Sequence, residues 1–513
     1  MSMFRKILKV AAFGIAALFI AIAVTGVLYL FFGLRVELDG GGRPHLMFVE
    51  SAASHAATIA RHREAQRAQF SAASSPQAAE PEPVPPPADQ APPPESDEPA
   101  PNRTVSARPR PYWTDFRGPS RDGHYRERPV RTDWPAGGLT PLWKQPIGAG
   151  YASFVVARGR AFTIEQRGSD EVVAAYDVPT GRELWTNSWR ATFSETLGGD
   201  GPRATPTWAD GRVYALGGQG ELRCLDEADG RVVWRANILE ENGATNLQWG
   251  MAASPLVIDD TLIVLPGGPN GRSVVAYDRR TGSIAWSALG DQQAYSSPML
   301  VTLAGVRQLL VFSSSRLMGL TPDRGELLWE YSWTTQFGVH AGQPLVLGDN
   351  RVFLSSGYGT GAAVIELTPE GNRFSVREVW RNNRMKNQFT SSVLHEGFIY
   401  GLDESILACL DANTGELKWK GGRYGYGQVL LADGHLIVLT EDGDLALVRA
   451  TPERHQEITR FKVLSGKTWN HPAMADGYLW VRNGSEMAAF DLRTAATKAT
   501  RELATKDTKT TKN

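Results

Sequence analysis

Ala408-Cys-Leu-Asp-Ala-Asn-Thr-Gly-Glu-Leu-Lys-Trp419 decides the fold, because relatives of this stretch return along the chain. AAYDVPTGRELW ends at Trp185, RCLDEADGRVVW at Trp234, VAYDRRTGSIAW at Trp286 and the looser MGLTPDRGELLW at Trp329. A degenerate copy, VIELTPEGNRFSVREVW, ends at Trp380 with the Asp lost and the turn lengthened. Successive tryptophans stand 39 to 52 residues apart. That is the length of one four-stranded propeller blade, and too long for a leucine-rich or ankyrin repeat.

The unit has a physical reading. Leu-x-x-Leu-Asp is short and apolar, as a half-buried strand should be, and Asp411 can accept hydrogen bonds from the backbone of the turn it opens. Gly415 supplies the positive φ of a tight reversal. Leu417 and Trp419 then alternate with Glu416 and Lys418, which gives the returning strand one apolar side. Asp177, Asp226 and Asp278 take the place of Asp411, and Gly181, Gly230, Gly282 and Gly325 that of Gly415. These residues and their tryptophans read as architecture, with the indoles at seams between blades.

Working outward, Leu139 to Ile147 resembles a returning strand around Trp143 that lacks its predecessors, while Glu486 to Leu492 resembles an outgoing strand that lacks its return. Joining them completes one blade from both ends and closes a ring. Innermost strands start near Ala152, Ala204, Ala253, Ser296, Gly342, Thr390, Gly427 and Asn470. The expected fold is therefore all-β, an eight-bladed propeller of four-stranded antiparallel blades spanning 112–492. In the seventh unit Phe461 replaces the Trp.

Upstream the composition changes. Met1 to Lys9 is basic, and Val10 to Leu34 carries no charge, long enough for a transmembrane helix whose basic flank stays in the cytoplasm. The propeller would then sit in the periplasm on a single-pass anchor in a bacterial inner membrane. Residues 35–75 form a juxtamembrane segment whose thin apolar stripe predicts a solvated, marginal helix. Residues 76–111 hold thirteen prolines among acidic residues, which predicts an extended stalk lifting the domain off the membrane. The Gly/Pro-punctuated stretch from Trp113 to Gly138 is expected to wrap the outside of the domain. Residues 493–513 read as a disordered tail. A net charge of −1 gives no bias toward nucleic acid, and two cysteines exclude a disulfide framework.

The Asp-x-x-Thr-Gly-x-x-x-Trp units in a closing ring of eight resemble the PQQ-type repeat of quinoprotein-like β-propellers, from about Trp113 to Leu492. WD40 repeats do not fit, since the Trp-Asp dipeptide never occurs. The resemblance implies two different jobs. Quinoprotein alcohol dehydrogenases hold PQQ over the channel mouth, stacked on a Trp, with Ca²⁺ and a vicinal Cys-Cys disulfide beside it. BamB-type members of the outer-membrane assembly machinery have no cofactor and use the propeller as a protein-binding platform. This chain has no Cys-Cys pair and no N-terminal lipid-bearing Cys, and it looks more like anchored propellers of unassigned activity. Cys224 and Cys409 fall at equivalent positions of opposed units and are expected to be buried and inert.

Function is expected on the rim opposite the Asp-x-x-Thr-Gly turns, where the loops are longer. Trp249, Tyr424, Tyr426 and Trp469 would offer stacking surfaces there, Arg384, Lys386, Arg423 and Lys467 cations, and His340, Asn470 and His471 polar groups. Aromatic faces beside guanidinium groups suit a planar anion such as PQQ, and equally a protein partner. His340 and His471 lie three blades apart, so no shared metal is expected. The leading expectation is a non-catalytic protein-binding scaffold without a cofactor; the alternative is an oxidoreductase with PQQ and Ca²⁺ at the mouth.

Overall fold

The computed structural model describes residues 24–28, 33–74 and 113–494. Eight antiparallel four-stranded sheets form the blades of the propeller. Blade 1 comprises Val155–Ala157, Arg160–Arg167, Asp170–Asp177 and Glu183–Arg190, and the next six repeat that order from the channel outward. Blade 8 takes Ala473–Ala475, Tyr478–Arg482 and Glu486–Asp491 from the end of the ring and its outer strand, Trp143–Pro146, from before blade 1. Ala489 lies opposite Trp143, and Glu486 opposite Pro146. This is the two-ended closure that the sequence predicts.

The repeat explains the outer seams. Asp411 accepts from the N–H groups of Asn413 (2.9 Å) and Thr414 (3.1 Å), and Gly415 turns at φ 71°. A bulge between Cys409 and Leu410 then re-aims the returning strand. Each repeat indole is directed at the turn of the following blade. Trp185 Nε1 donates to Glu227 O (2.9 Å), Trp234 Nε1 to Arg279 O (2.9 Å), Trp380 Nε1 to Ala412 O (3.0 Å) and Trp143 Nε1 to Val178 O (3.1 Å). The turn glycine lies flat against that ring: a Cβ on Gly230 would stand 2.4 Å from Trp185, and one on Gly282 2.7 Å from Trp234. Glycine and tryptophan of the motif thus fit each other across neighbouring blades. Trp329 is the exception. Blade 5 extends its outer hairpin through Gly361–Glu370 and Arg373–Asn382, offers no such turn, and Trp329 donates instead to Gln308 of its own blade (2.6 Å).

A second set of contacts runs around the channel. Ser153 N–H donates to Thr205 Oγ1 (2.9 Å), Thr205 N–H to Ser254 Oγ (3.0 Å), and Ser254 N–H to Ser297 Oγ (2.9 Å). Ser297 N–H donates to Gln343 Oε1 (2.7 Å) and Gln343 N–H to Ser391 Oγ (3.0 Å). Gln428 and His471 hold the corresponding places in blades 7 and 8, and Ser153 Oγ closes the circle on His471 O (2.5 Å). One polar residue ahead of each inner strand, small in blades 1 to 4 and 6, therefore stitches blade to blade.

The stretch from Trp113 wraps the outside only in its second half, where Trp134 and Gly138 lie against Phe461 on the outer strand Glu457–Lys462 of blade 7; its first half, from Trp113 to Tyr125, threads the channel. Trp113 exchanges hydrogen bonds with Val156 (2.9 and 2.8 Å), Trp208 N–H donates to Thr114 O (2.9 Å), and His124–Tyr125 adds a parallel strand to Gln428–Ala432 of blade 7. Between those edges two buried arginines cap carbonyls that the inner strands leave facing inward. Arg121 donates to Ser254 O (3.1 Å), Pro298 O (2.9 Å) and Pro255 O, and pairs with Asp115 (2.9 Å). Arg117 donates to Ser392 O (2.7 Å), Asp122 O (2.9 Å) and Ser391 O (3.3 Å). The carbonyls of Ser254, Pro255, Pro298, Ser391 and Ser392 thus face inward, and a guanidinium, with five donors, can serve several of them at once. Burial lowers Arg117 to about 10, so it keeps its charge at neutral pH.

The segment before the ring is also ordered against it. Leu34–Leu38 and Pro44–Phe48 pair as a hairpin, followed by a helix over Ala52–Ser74. The helix is solvated over most of its surface but docks on the ring by one face. It buries Ile59 and Arg63, and Arg63 donates to Gln145 Oε1 (3.0 Å) and Pro146 O (2.9 Å) on the closing strand while pairing with Glu183 (3.3 Å). A thin apolar stripe suffices because an arginine does the docking. Most of the expected transmembrane helix over 10–34 lies outside the described residues, and among those described no helix is long and apolar enough to cross a membrane. The Pro-rich segment 76–111 and all but the first two residues of the tail lie outside them as well.

Candidate functional site

On the rim opposite the repeat turns, a shallow cavity of about 160 Å³ opens over the channel. Its chemistry follows from one register of the repeat. The residue two places before each channel-belt residue is Tyr151, Arg203, Ala252, Tyr295, Ala341, Phe389, Tyr426 and Trp469 in blades 1 to 8. All of these but Tyr426 line the cavity, joined by Trp249 and Tyr358 from loops and by Phe116 of the channel segment. Ala252 and Ala341 leave room where their neighbours bring rings.

The rings form two groups. Tyr151 stacks on Trp469 at 5.3 Å, and Phe389 lies tilted against the same indole at 4.6 Å. Trp249 meets Tyr295 edge-on at 5.8 Å. Phe116 sits below, edge-on to His471 at 5.8 Å. Burial raises the Tyr151 and Tyr295 phenols well above their ordinary range and Tyr358 to about 12, so all three stay neutral.

Nearby charges are already engaged. Arg203 pairs with Glu195 (3.0 Å) and donates to Gly199 O (2.8 Å), and its guanidinium lies over Tyr151 and Phe193. Lys467 donates to Leu197 O (2.6 Å), pairs with Glu37 of the hairpin (3.2 Å) and stands over Trp469. Glu441 accepts from Trp469 Nε1 (2.9 Å), Tyr426 N–H (3.1 Å) and Gly40 N–H (2.7 Å). The hairpin tip thereby occupies Tyr426: a Cβ on Gly40 would lie 2.3 Å from that ring.

Of the residues expected here, Trp249 and Trp469 line the cavity, His471 touches its floor and Lys467 stands at its edge. Tyr426 is covered by the hairpin. The others serve elsewhere. His340 is buried, stacked on Phe312 at 4.4 Å and bonded to Ser356 (2.7 Å) and Ser314 O (3.1 Å). Tyr424 lies in the seam of blades 6 and 7, bonded to Glu457 (2.7 Å) and His455 (2.8 Å). Lys386 pairs with Asp403 (2.7 Å), and Asn470 holds the carbonyls of Gly150 and Ala152 (both 3.0 Å). Arg384 and Arg423 are exposed and do not line the cavity. His471 belongs to the belt; burial and the Arg117 guanidinium lower it to about 3, against the Pro472 and Val429 carbonyls that favour a proton. Tyr151, Tyr295, Tyr358, Phe389, Phe116, Glu195 and Arg203 were not among the expected residues. The aromatic two places ahead of the small polar residue was the available signal for three of them.

A larger space of about 960 Å³ separates the hairpin and helix from the rim of blades 8 and 1. Among its charged walls Lys144 pairs with Glu486 (3.2 Å) and Arg167 with Glu183 (2.6 Å). Cys224 and Cys409 are buried free thiols whose burial pushes each up to about 12.

The profile of a family described as outer membrane protein assembly factor BamB matches residues 169–421. The BamB of Yersinia pestis is 24% identical over 325 residues, covering 58% of this chain and 75% of that protein. That of Burkholderia pseudomallei is 24% identical over 349 residues, covering 59% and 86%. Among solved structures, the quinohemoprotein alcohol dehydrogenase from Comamonas testosteroni aligns with a TM-score of 0.56 at 13% identity, covering 74% of this chain and 80% of its own. At that identity the likeness concerns the fold alone.

Proposed function

The chain is a PQQ-like β-propeller repeat protein, and from that premise we propose that it is a non-catalytic, membrane-anchored periplasmic scaffold that holds a protein partner at the aromatic mouth. The observation that carries this reading is the cavity itself: half-buried rings around a space of about 160 Å³, closed below by Phe116, with the adjoining charges satisfied within the protein. Aromatic walls inside a polar rim are the anatomy of an interface hot spot. The volume suits one large apolar side chain, and small-molecule sites usually run to about 300–1,000 Å³. The names of the BamB relatives, which are assembly factors, favour the same class. Anchoring rests on the uncharged run 10–34 behind a basic N-terminus.

The quinoprotein alternative asks for cations to hold a tricarboxylate and for a Ca²⁺ site. The residues present do not fit it. Arg203 and Lys467 are engaged, both oxygens of Glu195 accept from Leu197 (2.7 Å), Gly198 (2.5 Å) and Arg203, and the described residues hold no metal-ligating cluster.

A photo-crosslinker at Tyr358 in the full chain, in native membranes, is expected to give one discrete adduct that Trp469→Ala abolishes, and a crosslinker at Asn413 on the opposite face none. Equal adducts at both positions, or indifference to Trp469→Ala, would sink the scaffold reading. Stoichiometric heat of PQQ and Ca²⁺ binding, lost in Trp469→Ala, would replace it with the quinoprotein one.

A further inference from the structure

The hairpin is two-faced in a way its docking does not use. On one face stand Glu37 and Met47, with Arg35 and His45; Glu37 reaches Lys467 at 3.2 Å, and all but His45, together with the edges of Val36 and Phe48 from the other face, line the space toward the rim. The other face is apolar at every position: Leu34, Val36 and Leu38 on one strand and Pro44, Leu46 and Phe48 on its partner. In the antiparallel register Val36 lies opposite Leu46 and Leu34 opposite Phe48, so these side chains form one patch. Val36 and Phe48 are each 64% exposed and Leu46 73%. Soluble surfaces rarely leave so contiguous an apolar patch uncovered.

Two further observations say what covers it. The patch begins at Leu34, the last residue of the uncharged run that starts at Val10, so it is continuous with the segment read as the membrane anchor. The hairpin is also held firmly to the propeller at its far end, where Gly40 N–H donates to Glu441 (2.7 Å), Gln388 Nε2 donates to Gly40 O (2.9 Å), and Gly40 lies on the Tyr426 ring. The helix that follows grips the closing strand through Arg63. We propose that the apolar face of this hairpin lies in the bilayer interface and holds the propeller directly against the membrane with its mouth rim toward the lipid.

This rests on the anchored reading above and revises the stalk. Residues 75–112 join a helix docked on the ring to a segment threaded through its channel, so they connect two points of one body and do not set its distance from the membrane. An amphipathic surface of this kind buries its apolar side about 5–10 Å into the headgroup boundary. The mouth would then receive its partner from the lipid side.

Because Cys224 and Cys409 are buried, a thiol introduced by Leu46→Cys or Phe48→Cys can be labelled alone with a polarity-sensitive fluorophore. Full-length protein is reconstituted into phosphatidylethanolamine and phosphatidylglycerol vesicles with or without nitroxide-bearing lipid, with Ile458→Cys on blade 7 as the reference. Labels at 46 and 48 are expected to shift blue and to be quenched by the nitroxide lipid severalfold more than the label at 458. If the chain floats with the vesicles but those labels stay unquenched, whether wet or covered by protein, the hairpin proposal is overturned and the anchor stands. If the chain does not float, the anchor fails and takes the proposal with it.

Discussion

Trp234 at the outer seam and Arg121 in the channel both join blades, yet they are built from different kinds of information. Trp234 lies against Gly282 and donates to Arg279 O of the next blade, an arrangement repeated with other residues around most of the ring. Arg121 comes from a segment that appears once, and it caps Ser254, Pro255 and Pro298, which belong to blades 3 and 4. A seam indole secures one pair of neighbours. The channel arginine supplies hydrogen bonds to carbonyls of two blades at once.

That contrast is open to breaking. Arg121→Ala removes the guanidinium paired with Asp115 and the donor to the buried carbonyls of Ser254 and Pro298, while Pro255 O keeps Thr207 Oγ1. It is expected to cost about 4 kcal/mol, read as a fall in the urea midpoint of the full chain in detergent. Trp234→Ala, which empties a single seam, is expected to cost about 3 kcal/mol in the same measurement. Should the seam variant prove the more damaging, the channel segment is an ornament and the blades hold themselves.

A smaller effect sharpens the comparison by pH. Burial holds His340 at about 4 and His471 at about 3 in the folded protein, so both are neutral in the native state. As pH falls below the ordinary value near 6.5, the unfolded chain takes up protons that the folded chain refuses. Stability therefore declines from pH 6.5 downward, and the decline ends only below the folded values. By pH 5 each histidine is expected to cost about 2 kcal/mol. Unfolding midpoints at pH 7 and pH 5 for the wild type and His340→Gln would check this: the variant should lose less on acidification.

Much of the ring was legible because it is repeated. Asp411, Gly415 and Trp419 announce a hairpin, and copies of them count the blades; Trp143 and Phe490 announce the closure. Less of the mouth was legible. Trp249 and Trp469 are conspicuous as large residues in long loops, whereas Tyr151, Tyr295 and Phe389 belong to a register recognisable only once the belt residues behind them are known to face the channel. Tyr424 and His340 have the same composition cues as Trp469, but a seam and a core absorb them.

The chain by itself determined the blade, the number of blades and the way the ring shuts, since those depend on contacts between residues close in sequence or related by the repeat. Tertiary structure alone decided that Arg117 and Arg121 fill the axis, that Gly40 takes Tyr426, and that Arg63 docks a helix of weak amphipathicity on the closing strand. The physical reason is that these are single hydrogen-bonded or van der Waals contacts between segments tens to hundreds of residues apart. Each is specified by where carbonyls and rings happen to be left unpaired in space, and no periodicity in the sequence records such a vacancy.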